Sequence, residues 1–321
     1  MREIEKLRGE YVRSLFELKT FSDDWDARRA AFLHALGDQR SISAANVLAV
    51  GDSLGSIFRL DISGRSQEDL SSGGNVWRAL VGYYLNMCLC GTGAIAVHRT
   101  SMIPKSLVDA VKVTYQGGTP LNSDLDLVVF YHTGLESLGA RARVGPRENV
   151  ARFIDDEFES TSMIVVQTKT NWNDNAQTPM LWNMIFSLAA NNIVPRDGYH
   201  IGSGARKLHN LRSFSYSFVT VPTNKLENFK PASMPVVRVR PMTGGAFWGY
   251  PTRQGVCNSL QEFFGRNHSV AQANFPDPSV IGRAFARAAS AGSSNEIDLA
   301  AFRLFPEINL PTTGNLSLEL S

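Results

Sequence analysis

The sequence predicts an α/β protein with a central β-sheet, flanking helices and a helical N-terminal region. Apolar residues recur at helical spacing over residues 1–20 and again over 24–36. Further along, short apolar or alternating runs are bounded by Gly, Pro and Asn, as is typical of strands. The clearest of these runs are Asp124 to Phe130 (DLDLVVF), Met163 to Lys169 (MIVVQTK) and Ser213 to Val221 (SFSYSFVTV).

The composition indicates a globular protein. Of the 321 residues, 43% are hydrophobic and 19% are charged, which excludes a largely disordered chain. The net charge of +2 permits an anionic partner without requiring one. The length suits one elaborated domain or two intimate ones, and we divide the chain into a mainly helical region, 1–110, packed on a core, 111–321.

Cysteine usage and the N-terminus point to the cytoplasm. Cys88, Cys90 and Cys257 have neither a disulfide nor a zinc-ligand pattern and are expected to be core thiols. The N-terminus lacks the apolar stretch of a signal peptide. The long apolar run from Val76 to Val97 is interrupted by Arg78, so it predicts a buried helix and no membrane span.

The remaining elements follow from local patterns. In the first part of the chain we predict helices near 44–50, 76–89 and 105–111, and strands near 57–62, from 94 and over 111–115. The turn residues Gly117, Gly118 and Pro120 predict a hairpin that joins the 111–115 strand to DLDLVVF. After it we predict a helix or a loop near 148–159 and helices near 179–193, 256–264 and 279–291. We also predict a short strand at 235–241 (PVVRVRP) and a loop at 244–249.

Polar groups converge at the ends of two predicted strands. Gln167 and Lys169 project from one face of MIVVQTK, because side chains alternate along a strand. Asp124 and Asp126 likewise share a face at the start of DLDLVVF. If the two strands are neighbours, carboxylates and a lysine meet at one end of the sheet.

This combination suits phosphodiester hydrolysis. A carboxylate at a strand end holds a hard divalent cation through oxygen, and the polar residue two positions before the lysine adds a further oxygen ligand. The cation lowers the pKa of bound water, while the lysine offsets charge that develops on the phosphate.

The segments SDLDLVVF and IVVQTKTNWND resemble the PD-(D/E)xK nuclease superfamily, specifically Type II restriction endonucleases. The resemblance implies a mixed central β-sheet flanked by helices, with the motif on two adjacent strands. It also implies that Asp126 binds Mg²⁺, that Gln167 occupies the second ligand position and that Lys169 is the catalytic lysine.

Two features depart from the family pattern. Gln167 stands where Asp or Glu is usual, which removes one negative charge, and Asp124 or an acid within 155–159 is expected to compensate. Asp126 and Gln167 are also 41 positions apart (167 − 126), which requires an insertion between the strands.

Several polar and basic residues are candidates for DNA contact. A guanidinium fork matches a guanine edge or a phosphate, and loops at strand ends are favoured sites of function. The candidates are Asn171, Asn173, Arg206, Lys207, Arg238 and Arg240. For the basic pairs, an ordinary solvated surface is the alternative. The aromatic residues Trp248 and Tyr250 either stack on a base or pack their own loop.

The resemblance implies a Mg²⁺-dependent, sequence-specific endonuclease that cuts double-stranded DNA and leaves a 5′-phosphate. Cutting both strands of a palindrome requires two sites, so a homodimer is expected, together with a DNA methyltransferase encoded nearby. Two alternatives stay open: a repair or recombination nuclease that recognises structure or damage, and a non-catalytic DNA-binding protein whose site has decayed.

Overall fold

The fold is described from a computed structural model. It covers residues 2–23, 25–37, 44–60, 70–115, 118, 120–121, 125–170, 181–182, 184–185, 187, 198–221, 230–242, 247–250 and 257–265. The predictions for 279–291, Asp124, Asn171 and Asn173 lie outside these residues.

The N-terminal region is helical, as predicted. Its helices are α1 (Glu3–Leu15), α2 (Lys19–Ser22), α3 (Trp25–Leu36), α4 (Ala44–Arg59) and α5 (Leu70–Cys88). The strand predicted near 57–62 is wrong where it is described, because Ile57 and Phe58 belong to α4. Their side chains are buried on the same face as Val47, Val50 and Leu54, so the apolar run continues the helical spacing.

The rest of the described chain is mixed. It contains β1 (Ala94–Val97), α6 (Lys105–Ala110), β2 (Val113–Tyr115), β3 (Pro120–Leu121), β4 (Leu127–Tyr131), α7 (Pro146–Asp156), β5 (Ser162–Lys169), β6 (Tyr199–Ile201), β7 (Ser213–Thr220), α8 (Met234–Met242), β8 (Phe247–Gly249) and α9 (Leu260–Gly265). Residues 181, 182, 184, 185 and 187 are also helical, as predicted for this stretch.

The central sheet is mixed and five-stranded, in the order β1-β4-β5-β7-β8. β1, β4 and β5 pair antiparallel, whereas β7 runs parallel to both β5 and β8. The chain is therefore an α/β protein whose mixed sheet is flanked by helices, with a helical N-terminal region.

Helices cover both faces of this sheet. On one face α5 contacts β7, where the Trp77 indole donates to the carbonyl of Val219 at 3.4 Å. On the other face Trp182 packs against Phe214, with ring centroids 6.4 Å apart. β5 and β7 are consequently buried on both faces. The alternating sequence SFSYSFVTV of 213–221 predicts a half-buried strand, and the structure corrects this prediction.

Four further local predictions are corrected. The strand at 111–115 does not pair with β4; β2 lies between β3 and β6 in a separate three-stranded sheet. The segment PVVRVRP is the helix α8, because Val236 and Val239 bury together against Phe218 and Phe247. Part of the predicted loop at 244–249 is the strand β8, and the helix predicted from 256 begins at Leu260.

One hydrophobic cluster contains residues from both proposed regions, from Ile4 in α1 to Phe264 in α9. The boundary at residue 110 stays a prediction. Within the described ranges, no helix has the length and apolar character needed to cross a membrane. The 76–89 helix is buried, as expected.

Candidate functional site

The candidate site lies where β4 begins and β5 ends. The antiparallel register pairs Leu127 with Val166, which places Asp126 opposite Gln167. Asp126 Oδ2 accepts hydrogen bonds from Gln167 Nε2, from the Thr168 backbone N–H at 2.9 Å and from the Thr168 hydroxyl at 3.3 Å. The apolar residues that follow Asp126 and precede Gln167 fix this arrangement, because both runs are buried.

The orientation of the Gln167 amide follows from its second partner. The Trp182 indole N–H donates to Gln167 Oε1 at 3.2 Å. An indole N–H can only donate, so the amide oxygen must face Trp182 and the NH₂ group must face Asp126. Gln167 is only 1% exposed, and both ends of its amide are satisfied inside the protein.

Arg78 of α5 completes the surroundings of Asp126. Its Nη1 lies 3.7 Å from Asp126 Oδ1, and its Nη2 donates to Asn75 Oδ1 at 2.7 Å. Sequence reasoning treated Arg78 only as an interruption of an apolar run. A charge inside a buried helix requires a partner, and that signal could have identified it.

Lys169 is the last residue of β5 and is partly buried. It projects from the same face as Gln167, about 7 Å further along the strand. Its carbonyl accepts from the Val221 N–H at 2.9 Å, and the residue is paired in register with Thr220 of β7. The central parallel pair therefore holds Lys169 at the end of the sheet that carries Asp126.

A neutral histidine lies at the same end, just after β1. The Tyr11 hydroxyl lies 2.9 Å from His98 Nδ1. Burial, with smaller contributions from the positive charges of Arg78 and Arg99, lowers the pKa of His98 to about 4. The imidazole is therefore uncharged at neutral pH and shares a hydrogen bond with the Tyr11 hydroxyl.

Two further groups extend this end of the sheet toward β8. The backbone N–H of Tyr250 donates to the Thr220 carbonyl at 2.9 Å, and Arg59 lies 6.0 Å from the Tyr250 ring. Trp248 does not offer a stacking surface, because it is 3% exposed and stacks on Trp77. Only Tyr250 of the aromatic pair is partly exposed.

The described residues do not fit a complete Mg²⁺ site. Asp126 contributes one carboxylate, but Gln167 turns its N–H donors toward that carboxylate. The part of the chain described here contains no group of three His, Cys, Asp or Glu residues that could hold a metal ion. The acids of 155–159 do not compensate, because they precede the opposite end of β5, about 16 Å of strand from Gln167.

Two of the predicted DNA-contact residues, Arg206 and Lys207, are not brought to this site. Arg206 and Lys207 lie near the start of β5 and β7, where Arg206 Cζ is 4.9 Å from the Phe158 ring. Arg238 is exposed on α8. The prediction that Arg238 and Arg240 share one face of a strand is wrong, because this segment is helical.

His132 also lies at the far end of β4. There its Nδ1 accepts from the Gly134 N–H at 2.9 Å and caps a short turn. It has a structural role. Arg78, His98, Thr168 and Trp182 are instead the residues that the fold adds to Asp126, Gln167 and Lys169. No protein-family model and no curated protein sequence matches the chain.

Proposed function

We propose that this protein is a nuclease that hydrolyses phosphodiester bonds in double-stranded DNA, with Asp126 and Lys169 as catalytic residues. The observation that carries the proposal is the position of Asp126 beside the end of the strand that bears Lys169. Arg78 adds a second positive charge 3.7 Å from Asp126. A carboxylate beside a guanidinium, at the end of a strand that bears a lysine, is an arrangement suited to a phosphate group and a water molecule.

Each residue has a role that its position supports. Lys169 offsets the negative charge that builds on the phosphoryl oxygens in the transition state. Asp126 is fixed through Oδ2 by three donors, which leaves Oδ1 directed toward Arg78. Gln167 acts as a positioning residue for Asp126. Dependence on Mg²⁺ stays a prediction, because the described residues supply the ion with a single carboxylate, that of Asp126.

The finer proposal is a Type II restriction endonuclease that acts as a homodimer on a palindromic site. It rests on the resemblance of the two strand motifs. A two-fold symmetric target requires two identical active sites, one for each strand. A DNA methyltransferase gene beside the gene for this chain would support it, because the host's own sites require protection.

Cleavage of plasmid DNA tests the proposal. With Mg²⁺ present, the wild type is expected to yield discrete fragments, and Lys169→Ala should lower the rate by about 10²-fold or more while binding DNA nearly as well. Lys105→Ala is the matched control, because Lys105 is an exposed lysine paired with Asp109 on α6. Unchanged cutting by Lys169→Ala would reject the catalytic assignment, and nicks confined to branched or damaged DNA would favour a repair nuclease.

A second candidate function is DNA binding without hydrolysis. The observation that favours it is the Gln167 amide, which is satisfied by Trp182 and Asp126 and presents no oxygen toward the carboxylate. A wild-type protein that binds duplex DNA and cuts none with Mg²⁺ or Mn²⁺ would establish this alternative.

A further inference from the structure

We infer that Arg78 binds a phosphate group of the substrate next to Asp126 and is a third functional residue of the site. This inference rests on the proposed action on nucleic acid, but it does not require that the protein cleave its target. It assigns a role to a residue of α5 that lies outside both strand motifs.

The hydrogen bonds of Arg78 are incomplete. A guanidinium has five N–H donors. Nη2 uses one on Asn75, Nη1 lies 3.7 Å from Asp126 Oδ1, which is beyond hydrogen-bond distance, and Nε is buried without a partner among the described residues. A buried donor left unpaired costs about 1–3 kcal/mol, so a ligand that accepts from this group would recover that cost.

The position of the guanidinium favours an external ligand. Its side chain is 24% exposed, whereas that of Asp126 is 9% exposed, so Arg78 faces the outside of the site. The three donors on Oδ2 already hold the carboxylate in place. Arg78 is therefore not needed to orient Asp126.

The chemistry of the group indicates that the ligand is an anion. The Arg78 guanidinium is positively charged, partly exposed and has unused N–H donors, so an anion with oxygen acceptors suits it. A phosphodiester is such an anion. Its two non-bridging oxygens match the fork of a guanidinium, which a lysine ammonium cannot reproduce.

Binding and cleavage by Arg78→Ala and Arg78→Lys test the inference. A short fluorescent duplex is titrated in EDTA at several salt concentrations, and plasmid cleavage is measured with Mg²⁺. For Arg78→Ala we expect about tenfold weaker binding and a salt slope smaller by about one. Arg78→Lys keeps the charge near Asp126 but loses the fork, so it should show a smaller loss of affinity with a nearly unchanged slope.

Arg99→Ala is the control for a general loss of positive charge. Arg99 lies just after β1, but its guanidinium is engaged by Glu17 and the Ser14 carbonyl at 2.8 and 2.9 Å. We expect this variant to bind DNA as the wild type does. Melting temperatures establish whether each variant is folded. If Arg78→Ala does not fold, Arg78→Lys alone tests the inference.

The outcomes separate the inference from the proposed function. Weaker binding by the Arg78 variants beside a wild type that never cleaves would support the inference and reject hydrolysis. Normal binding and cleavage by both Arg78 variants would reject the inference and leave the nuclease intact. Equal losses of DNA affinity for Arg78→Ala and Arg99→Ala would show a diffuse charge effect and reject the specific role of Arg78. A wild type that binds no DNA would also reject the inference.

Discussion

At the scale of single residues, Gln167 is the position that decides what the site can do. Its amide is held between a donor-only indole and a carboxylate, which explains why a neutral residue is tolerated in a buried position beside Asp126. A carboxylate at 167 would face Asp126 directly. Two carboxylates in a buried site cannot both be ionised unless a cation lies between them. Without a cation, one of them keeps its proton.

Substitution Gln167→Glu should therefore make the fold depend on divalent cations. We expect a loss of stability of about 2–4 kcal/mol at neutral pH, because the hydrogen bond from Nε2 is replaced by repulsion between carboxylates. Mg²⁺ should raise the melting temperature of this variant by binding the folded form. Differential scanning calorimetry with and without Mg²⁺ provides the measurement.

Gln167→Met is the matched control for this experiment. It removes both amide hydrogen bonds but adds no charge, so its melting temperature should fall and should not respond to Mg²⁺. A Gln167→Glu protein that is equally insensitive to Mg²⁺ would contradict the expectation. A wild type that is itself stabilised by Mg²⁺ would show that the native site already binds the ion.

At the scale of elements, the pairing of β1, β4 and β5 determines the geometry of the site. β1 and β4 meet closely at the end away from Asp126, where the His132 N–H donates to the Gly93 carbonyl at 3.2 Å. A Cβ at Gly93 would collide with the carbonyl oxygen of His132 and lie 3.1 Å from Glu136 Cγ. Only glycine allows the two chains to approach in this way.

Gly93→Ala should destabilise the protein by about 2 kcal/mol, because a backbone carbonyl cannot move aside without disturbing the β1–β4 pair. Urea denaturation followed by circular dichroism measures the change. Gly139→Ala is the control, since a Cβ there meets no atom within 4 Å. It should change stability by less than about 0.5 kcal/mol. Equal stability of the two variants would contradict the proposed collision.

Elements were predictable where the apolar pattern was long or flanked by clear turn residues. The burial of β4 and β5 follows from LVVF and MIVV, and their pairing brought Asp126 to Gln167 as expected. Short apolar runs were ambiguous. The local pattern predicts strands near 57–62 and at PVVRVRP. In the structure Ile57 extends a helical face, and Val236 and Val239 pack against Phe218 and Phe247. Such tertiary contacts override local β-propensity.

At the scale of the whole molecule, the two ends of the central sheet differ in character. One end has Asp126, Lys169, Arg78 and His98, and the other has His132 with Glu157 and Arg206 with Phe158. The strand β5 separates these ends by about 23 Å. A sequence pattern reports which residues are basic, but only the fold shows which end of a strand they approach. Arg78 and Trp182 were missed for the same reason.

Lys207→Ala should leave duplex binding within about twofold of the wild type, with the same salt dependence, because Lys207 is exposed at the end of the sheet distant from Lys169. Fluorescence anisotropy across a salt series measures both quantities. Arg206 is retained, since its contact with Phe158 contributes to packing. A tenfold loss of affinity would mean that the DNA also crosses the distant end, as the sequence predicts for Arg206 and Lys207.

The hydrogen bond from Trp182 to Gln167 also has a spectroscopic consequence. An indole N–H gives its own NMR resonance, and its chemical shift depends on the oxygen that accepts its proton. Because Trp182, Gln167 and Asp126 form one continuous chain of hydrogen bonds, any proton or ion that reaches Asp126 should move the Trp182 signal. The protein therefore carries a reporter of the state of its carboxylate, readable before any substrate is known.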